Sequence, residues 1–249
     1  MRILICGIGG RMGHEVAKLA SSGYRGATVI AGCDLNPVEI DAIPVYKNIA
    51  QVKETPDVII DFSHHSAVVE LLAFATKRGI PTVIATTGHT EEEKALIKRC
   101  SDMIPIFHAA NMSLGVALLI ELAKITAKTF PDADIEIIEK HHNRKLDAPS
   151  GTALAIANAI KTVREKAFFV FGRQGNAKRT ENEIGVHAIR MGNIIGEHEV
   201  IVGTDTQTIT LKHEAHSRSL FAEGAIVAAE FLVRQPAGFY DMNRMIAAE

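Results

Sequence analysis

The chain is 249 residues long, 47% hydrophobic and 22% charged, with three cysteines and a formal net charge of −2. That length accommodates one large domain or two modest ones, and the near-neutral balance excludes a global field for gathering nucleic acid, so any anion site must be local. Cys6, Cys33 and Cys100 lie far apart in apolar or amphipathic stretches, a pattern that suits buried thiols in a reducing compartment and excludes a zinc spacing or a disulfide framework.

Taken from the N-terminus, Met1 to Cys6 is too short for a signal segment and runs straight into glycines. No apolar run approaches the ~18 residues needed to span a bilayer, so a cytoplasmic protein with no membrane partner is expected. Residues 2–6 predict a strand covered on both faces. Gly7 to Gly13 is a glycine-rich turn, and a helical pattern continues to about Leu19. A second strand is predicted over Ala27 to Cys33, ending at Asp34, and a third over Asp57 to Phe62. Ser66 to Arg78 reads as a helix stopped by Gly79, and Pro81 to Ala85 as a fourth strand. Thr90 with Glu93 forms a capping box for a helix reaching about Cys100. Ile104 to Phe107 is a fifth strand. Short alternation of strand and helix means a parallel sheet with helices on both faces.

Past Asn111 the rhythm changes. Leu114 to Lys128 predicts a long helix, Ile135 to Glu139 a strand, and Thr152 to about Lys166 a helix. Three strands then follow without helices between them: Ile184 to Met191, His198 to Val202 and Thr206 to His213, with Gly203-Thr204-Asp205 as a hairpin turn. In the last, Gln207, Ile209 and Leu211 alternate with threonines, so one face is wet or pairs with another subunit. An alanine-rich helix, Leu220 to Leu232, leads to a short tail, and Gly172 to Lys178 reads as a loop. The fold class is therefore α/β, a Rossmann-type doubly wound parallel sheet plus a second α+β domain with a mixed or antiparallel sheet. Residues 1–112, completed by 220–249, form the expected doubly wound domain, and 113–219 the α+β domain.

Gly7, Ile8, Gly9, Gly10, Arg11, Met12 and Gly13 directly follow the first strand and open a helix. Glycines there permit a tight turn and let a pyrophosphate approach the backbone at a helix N-terminus. Asp34 ends the second strand about 20 residues further on, where a carboxylate grips the adenosine ribose. Leu35 beside it carries no charge for a 2′-phosphate, which favours NADH over NADPH, although Arg11 can assist a phosphate. Thr86-Thr87-Gly88 and Ala109-Ala110-Asn111-Met112 follow strands four and five on the same sheet edge and become cofactor contacts once the glycine motif is accepted. His64 and His65 read as solvated imidazoles at a helix start, and His108, His213 and His216 as structural or interface groups.

The densest chemistry lies at His141-His142-Asn143-Arg144-Lys145, followed by Pro149 and a helix opening with Ser150, Gly151 and Thr152. A helix N-terminus favours anions. Cations beside it make a cup for a small dicarboxylate, and histidines can supply protons near neutral pH. Adjacent histidines on a strand point to opposite faces and no partner set is spaced for zinc, so no metal is expected.

Gly-x-x-Gly-Arg-Met-Gly at 7–13, Ala-Thr-Thr-Gly at 85–88, Ala-Ala-Asn-Met-Ser at 109–113, Glu-x-His-His-x-x-Lys-x-Asp-Ala-Pro-Ser-Gly-Thr-Ala at 139–153 and Ser217-Arg218-x-x-Phe221-Ala222-x-Gly224-Ala225 together resemble the 4-hydroxy-tetrahydrodipicolinate reductase (dihydrodipicolinate reductase) family. The resemblance runs in order along nearly the whole chain. It implies NAD(P)H-dependent reduction of a cyclic dicarboxylate with loss of water, in diaminopimelate and lysine biosynthesis. It also implies proton donation by His141 and Lys145, substrate binding by His142, Ser150, Gly151 and Thr152, and cofactor binding by Gly7 to Met12, Asp34, Ala85 to Thr87 and Ala109 to Met112. A homotetramer built through the second domain's sheet is implied, as is closure of the two domains around their ligands. Leu35 stands where members that use NADPH well often carry arginine. Two other functions stay open on the residues alone: another dinucleotide-dependent dehydrogenase, and a non-catalytic NAD(H) sensor that binds a partner protein.

Overall fold

In the computed structural model, which describes residues 1–37, 39–40 and 43–247, the chain forms two compact units, Met1–Ser113 with Ser219–Glu249 and Leu114–Arg218. The first contains β1 (Arg2–Cys6), α1 (Arg11–Ser21), β2 (Thr28–Cys33), β3 (Val45–Tyr46), β4 (Val58–Asp61), α2 (Val68–Arg78), β5 (Thr82–Ile84), α3 (Glu91–Cys100) and β6 (Pro105–His108). The second contains α4 (Leu114–Thr129), β7 (Asp134–His141), α5 (Gly151–Lys161), β8 (Phe168–Phe171), β9 (Glu183–Arg190), β10 (Glu197–Gly203) and β11 (Thr208–Glu214). The chain then returns to the first unit with α6 (Ser219–Leu232), β12 (Gly238–Tyr240) and α7 (Met242–Ala247).

The first unit's sheet has seven strands in the order β12-β6-β5-β4-β1-β2-β3, each paired parallel with its neighbour. Parallel strands covered by helices on both faces need apolar side chains on both faces. Ile3, Leu4, Ile5, Val58, Ile59, Ile60, Val83 and Ile84 accordingly have no exposed surface. Local signals set the helix ends. Thr90 and Glu93 satisfy each other's backbone N–H groups at the start of α3. Gly79, at φ +66, takes the left-handed conformation that ends α2. Helix α6 is small-residued because it packs tightly on α1 and on the sheet, with Ala222, Ala225, Ala228 and Ala229 all buried.

The second unit's five-stranded sheet runs β11-β10-β7-β9-β8 and is mixed: β10 lies antiparallel to β7 and β11, whereas β9 lies parallel to β7 and β8. One face packs on α4 and α5 through Ile135, Ile137, Val186, Val200 and Val202. On β11 the alternation leaves Thr208, Thr210 and Lys212 exposed.

Several boundaries differ from expectation. The fifth helix stops at Lys161 rather than near Lys166, and the segment beyond it includes a strand, β8, that periodicity did not predict. The hairpin turn is Thr204–Gln207, closed by Thr204 N–H donating to Gln207 O at 2.8 Å, so the following strand begins at Thr208. Ser66 lies in a 3₁₀ turn, His65–Ala67, that precedes α2. Beyond Leu232 the tail forms β12 and α7. The final residues of the 220–249 stretch, Ala248 and Glu249, lie outside the described residues.

Candidate active site

The glycine loop of the first unit is built for close backbone approach. Gly7 has φ +76, and a Cβ there would fall 2.6 Å from the carbonyl oxygen of Phe62. A Cβ on Gly13 would fall 2.2 Å from Gly7 O, so α1 rests directly on the loop that precedes it. Helix α1 begins after Gly10 with no side-chain cap, which leaves its positive end to the loop. Asp34, at the end of β2, accepts from Gly9 N–H at 3.0 Å and from Asn36 N–H at 3.0 Å, tying the carboxylate to the glycine loop. Beside them lies a cavity of about 300 Å³, lined among others by Gly7, Gly10, Asp34, Leu35, Ser63 and Leu71. These features fit the adenosine and pyrophosphate parts of a dinucleotide.

The remaining cofactor candidates occupy the same carboxyl edge of the sheet. Ala85 follows β5, with its N–H donating to Asp61 O at 2.9 Å, and Ala109 follows β6, donating to Ile84 O at 3.3 Å. Not every side chain is available. Ile8 is fully buried against Gly32, and Met112 is buried with its carbonyl facing Gly224, where a Cβ would fall 1.7 Å away. Their backbones alone can meet a ligand. Thr86 is buried and Thr87 exposed, while Arg11 is exposed at the first position of α1.

The same edge carries a row of imidazoles that sequence reasoning treated separately. His64 caps the following turn by accepting from Ser66 N–H at 3.3 Å. His65 pairs with Glu93 at 3.0 Å, and His89 and His108 stack edge to face at 5.4 Å. Burial pushes the titration of His89 and His108 down and that of Asp61 up.

In the second unit, β7 delivers His141 at its last position, and the loop 191–196 straps the next residues in place. His142 N–H donates to Ile194 O at 2.7 Å, Asn143 N–H to Gly192 O at 3.2 Å, and Met191 N–H returns to His141 O at 2.9 Å. The charges of Arg144, Arg218 and Lys145, together with the His141 ring, act on His142. Burial first, then those charges, push its titration down, and its Nδ1 is buried with no hydrogen-bond partner among the described residues. The Lys145 ammonium sits 2.8 Å from Asp147, whose carboxyl it holds low, and Arg144 is committed to Asn193 Oδ1 at 3.0 Å.

Sequence reasoning missed the group that organises this site. Glu139 is wholly buried, and its Oε2 lies 2.6 Å from His141 Nδ1. It accepts two hydrogen bonds from Arg190, at 2.8 and 2.6 Å, and one from Ser150 N–H at 2.9 Å. Burial alone would raise this carboxyl, but the Arg190, His141 and Ser150 bonds outweigh it and hold it low. The available signal was the i, i+2 spacing of Glu139 and His141 on a strand, which places both on one face. Ser150 is buried, and its hydroxyl caps α5 by accepting from Ala153 N–H at 3.2 Å and contacts His198 Nε2 at 3.1 Å. Gly151 and Thr152 stand in the first turn of α5, at its positive end. His213 packs against Gly115 of α4, where a Cβ would fall 2.6 Å from its ring. Among the described residues no cluster of three or more His, Cys, Asp or Glu is placed to hold a metal ion.

Comparison with known proteins covers both units. The family model described as dihydrodipicolinate reductase, N-terminus, matches residues 1–112, and that for the C-terminus matches residues 115–246. The 4-hydroxy-tetrahydrodipicolinate reductase of Caldanaerobacter subterraneus subsp. tengcongensis is 50% identical over 248 residues, covering 99% of this chain and 98% of that protein. The one from Clostridium tetani is 43% identical over 248 residues, covering 99% and 97%. Among solved structures, a dipicolinate-bound dihydrodipicolinate reductase from Paenisporosarcina sp. TG-14 is similar with a TM-score of 0.81, at 28% identity over 97% of each chain. A DAP dehydrogenase from C. glutamicum, at 12% identity and a TM-score of 0.60 over 100% of this chain and 96% of that one, shares the fold alone.

Proposed function

The chain belongs to the dihydrodipicolinate reductase family, and from that premise we propose how its residues divide the work. The activity is reduction of 4-hydroxy-tetrahydrodipicolinate to tetrahydrodipicolinate with loss of water, a step in diaminopimelate and lysine biosynthesis. The family uses a pyridine nucleotide, which supplies the hydride when bound.

The glycine loop, Gly7 to Met12, and the positive end of α1 hold the pyrophosphate, with Arg11 assisting. Asp34 holds the ribose. Ala85 to Thr87 and Ala109 to Met112 line the rest, Ile8 and Met112 through backbone only. NADH is preferred and NADPH accepted less well, because the residue after Asp34 is an uncharged, exposed leucine. The substrate dicarboxylate binds in the second unit against His142 and the first turn of α5 at Gly151 and Thr152, with Ser150 shaping that turn as its cap. The observation that carries this reading is the buried Nδ1 of His142, without a hydrogen-bond partner among the described residues, beside the charges of Arg144, Arg218 and Lys145, an arrangement that a carboxylate completes. The Paenisporosarcina relative's dipicolinate, a ring with two carboxylates, is of the same chemical class.

His141 and Lys145 are the proton donors. Lys145 meets a substrate carboxylate or the protonated atom in exchange for its contact with the exposed Asp147, and its charge offsets negative charge that develops as the hydride arrives. The protein acts in the cytoplasm as a homotetramer. The accessible face of the second sheet, with Thr208 and Thr210 exposed on β11, supports that assembly. No helix among the described residues is long and apolar enough to cross a membrane, and neither membrane nor nucleic acid takes part in this reading. Oxidation of NADH by the purified protein, with 4-hydroxy-tetrahydrodipicolinate as the only other reactant, tests the proposal. Turnover abolished by changing Lys145 supports it, and turnover indifferent to Lys145 removes that residue from the mechanism.

A further inference from the structure

Glu139 is the least exposed charged residue of the second unit's site, with no surface open to solvent. Its hydrogen bonds account for both oxygens: Oε2 takes His141 Nδ1 and one Arg190 nitrogen, and Oε1 takes the other Arg190 nitrogen and Ser150 N–H. A carboxylate so occupied accepts only, so the proton shared with His141 must reside on Nδ1. The other ring nitrogen, Nε2, points toward Gly196, where a Cβ would stand 3.1 Å away. Glycine at that position keeps the approach to Nε2 clear. Gly196 is held by its own carbonyl, which accepts from Ala215 N–H at 2.9 Å, so the clearance is fixed by backbone and not by a mobile side chain.

Resting on the function proposed above, we propose that Glu139 is a positioning residue that fixes the tautomer and orientation of His141, so that the ring delivers its proton from Nε2 through the space that Gly196 leaves open. In the step itself an imidazolium His141 loses its Nε2 proton to the substrate and remains neutral with Nδ1–H still on Glu139. No proton passes to the carboxylate. Arg190 keeps Glu139 ionised and in place. Because Ser150 N–H shares the same carboxylate, the orientation of the donor and the start of the substrate-binding helix are set by one buried group.

The role is separable from a merely structural one. Glu139→Gln keeps the shape but places an NH₂ against one of the present donors, so His141 loses its fixed tautomer. The expected result is a fall in kcat of about 30-fold or more, within the range of general acid–base contributions. The solvent deuterium isotope effect on kcat should rise, and the Kd values for NADH and for dipicolinate, measured by calorimetry, should stay within about threefold. In a His141→Gln background the same Glu139→Gln change should lower the residual kcat less than twofold, since its effect runs through the lost ring. Gly196→Ala provides a second cycle should Glu139→Gln fail to fold: it should lower kcat in the wild-type background and leave the His141→Gln enzyme unchanged. Losses equal in both backgrounds, or a parallel collapse of dipicolinate binding, would overturn the inference. Absence of turnover in the unmutated protein would instead overturn the function on which it rests.

Discussion

At the residue scale, the proposed preference for NADH rests on Leu35. Asp34 is already tied to the glycine loop, and Leu35 is 73% exposed with no charge to offer. Replacing it with arginine supplies a cation for a 2′-phosphate. Since a charge-assisted hydrogen bond contributes about 1.5–3 kcal/mol, Leu35→Arg should raise kcat/KM for NADPH by ~10-fold or more and leave that for NADH within about threefold. Steady-state kinetics with both nucleotides check this. His198 carries a second prediction. Burial, then the neighbouring His141, push its pKa from 6.5 to about 4. A base with a depressed folded pKa binds fewer protons when folded, so acid favours the unfolded chain between pH 6.5 and about 4. Stability present at pH 7 is lost across that window, by on the order of 3 kcal/mol. The depressed Glu139 carboxyl acts in the same direction at lower pH, as it too protonates. Melting temperatures recorded from pH 7 to pH 4 should fall, and fall less steeply in His198→Gln, which can keep the Ser150 contact without titrating. Parallel curves would contradict the assignment. The residues that carry recognisable patterns, the glycine string, Asp34 and the histidine pair, could be read directly. Arg190 and His198 could not, because they come from strands β9 and β10, and only sheet pairing brings them to β7 beside Glu139 and His141.

Elements were legible where a local rule dictates them. The Thr90–Glu93 box announces α3, and Gly79 closes α2, because each satisfies backbone groups within a few residues. Strand β3 has only two residues, Val45 and Tyr46, too few to establish a period, and β8, Phe168–Phe171, is a short apolar run between basic residues. Helix α5 stops at Lys161 although apolar Val163 would have continued its pattern; Val163 instead packs from the following turn onto the second core. Helix α6 has a role that its alanine-rich sequence only hinted at. Gly224 lets it lie on the carbonyl of Met112, setting the 109–112 segment against the sheet edge. Gly224→Ala forces a Cβ into a 1.7 Å gap, an overpacking that costs about 1–3 kcal/mol. The Tm should drop by several degrees and the KM for NADH should rise, while the dipicolinate Kd stays unchanged. An unaltered Tm would show that the helix can move away freely.

At the scale of the whole molecule, the chain joins an α/β unit that carries the glycine loop at its sheet edge to a mixed-sheet unit that carries a cationic, histidine-bearing turn. The proposed homotetramer should show itself in sedimentation as a species of about four times the 27.0 kDa chain; a monomer at micromolar concentration would contradict the assembly proposed for the second sheet. The central claim is that proton donation by the His141–Lys145 turn drives reduction of a dicarboxylate ring. Its most direct measurement compares NADH oxidation by the wild-type and Lys145→Ala proteins with 4-hydroxy-tetrahydrodipicolinate, alongside the NADH Kd of each. Rapid turnover by the wild type, a kcat at least ~100-fold lower in the variant and equal NADH binding in both are expected. A Lys145→Ala protein that turns over at the wild-type rate would contradict the claim.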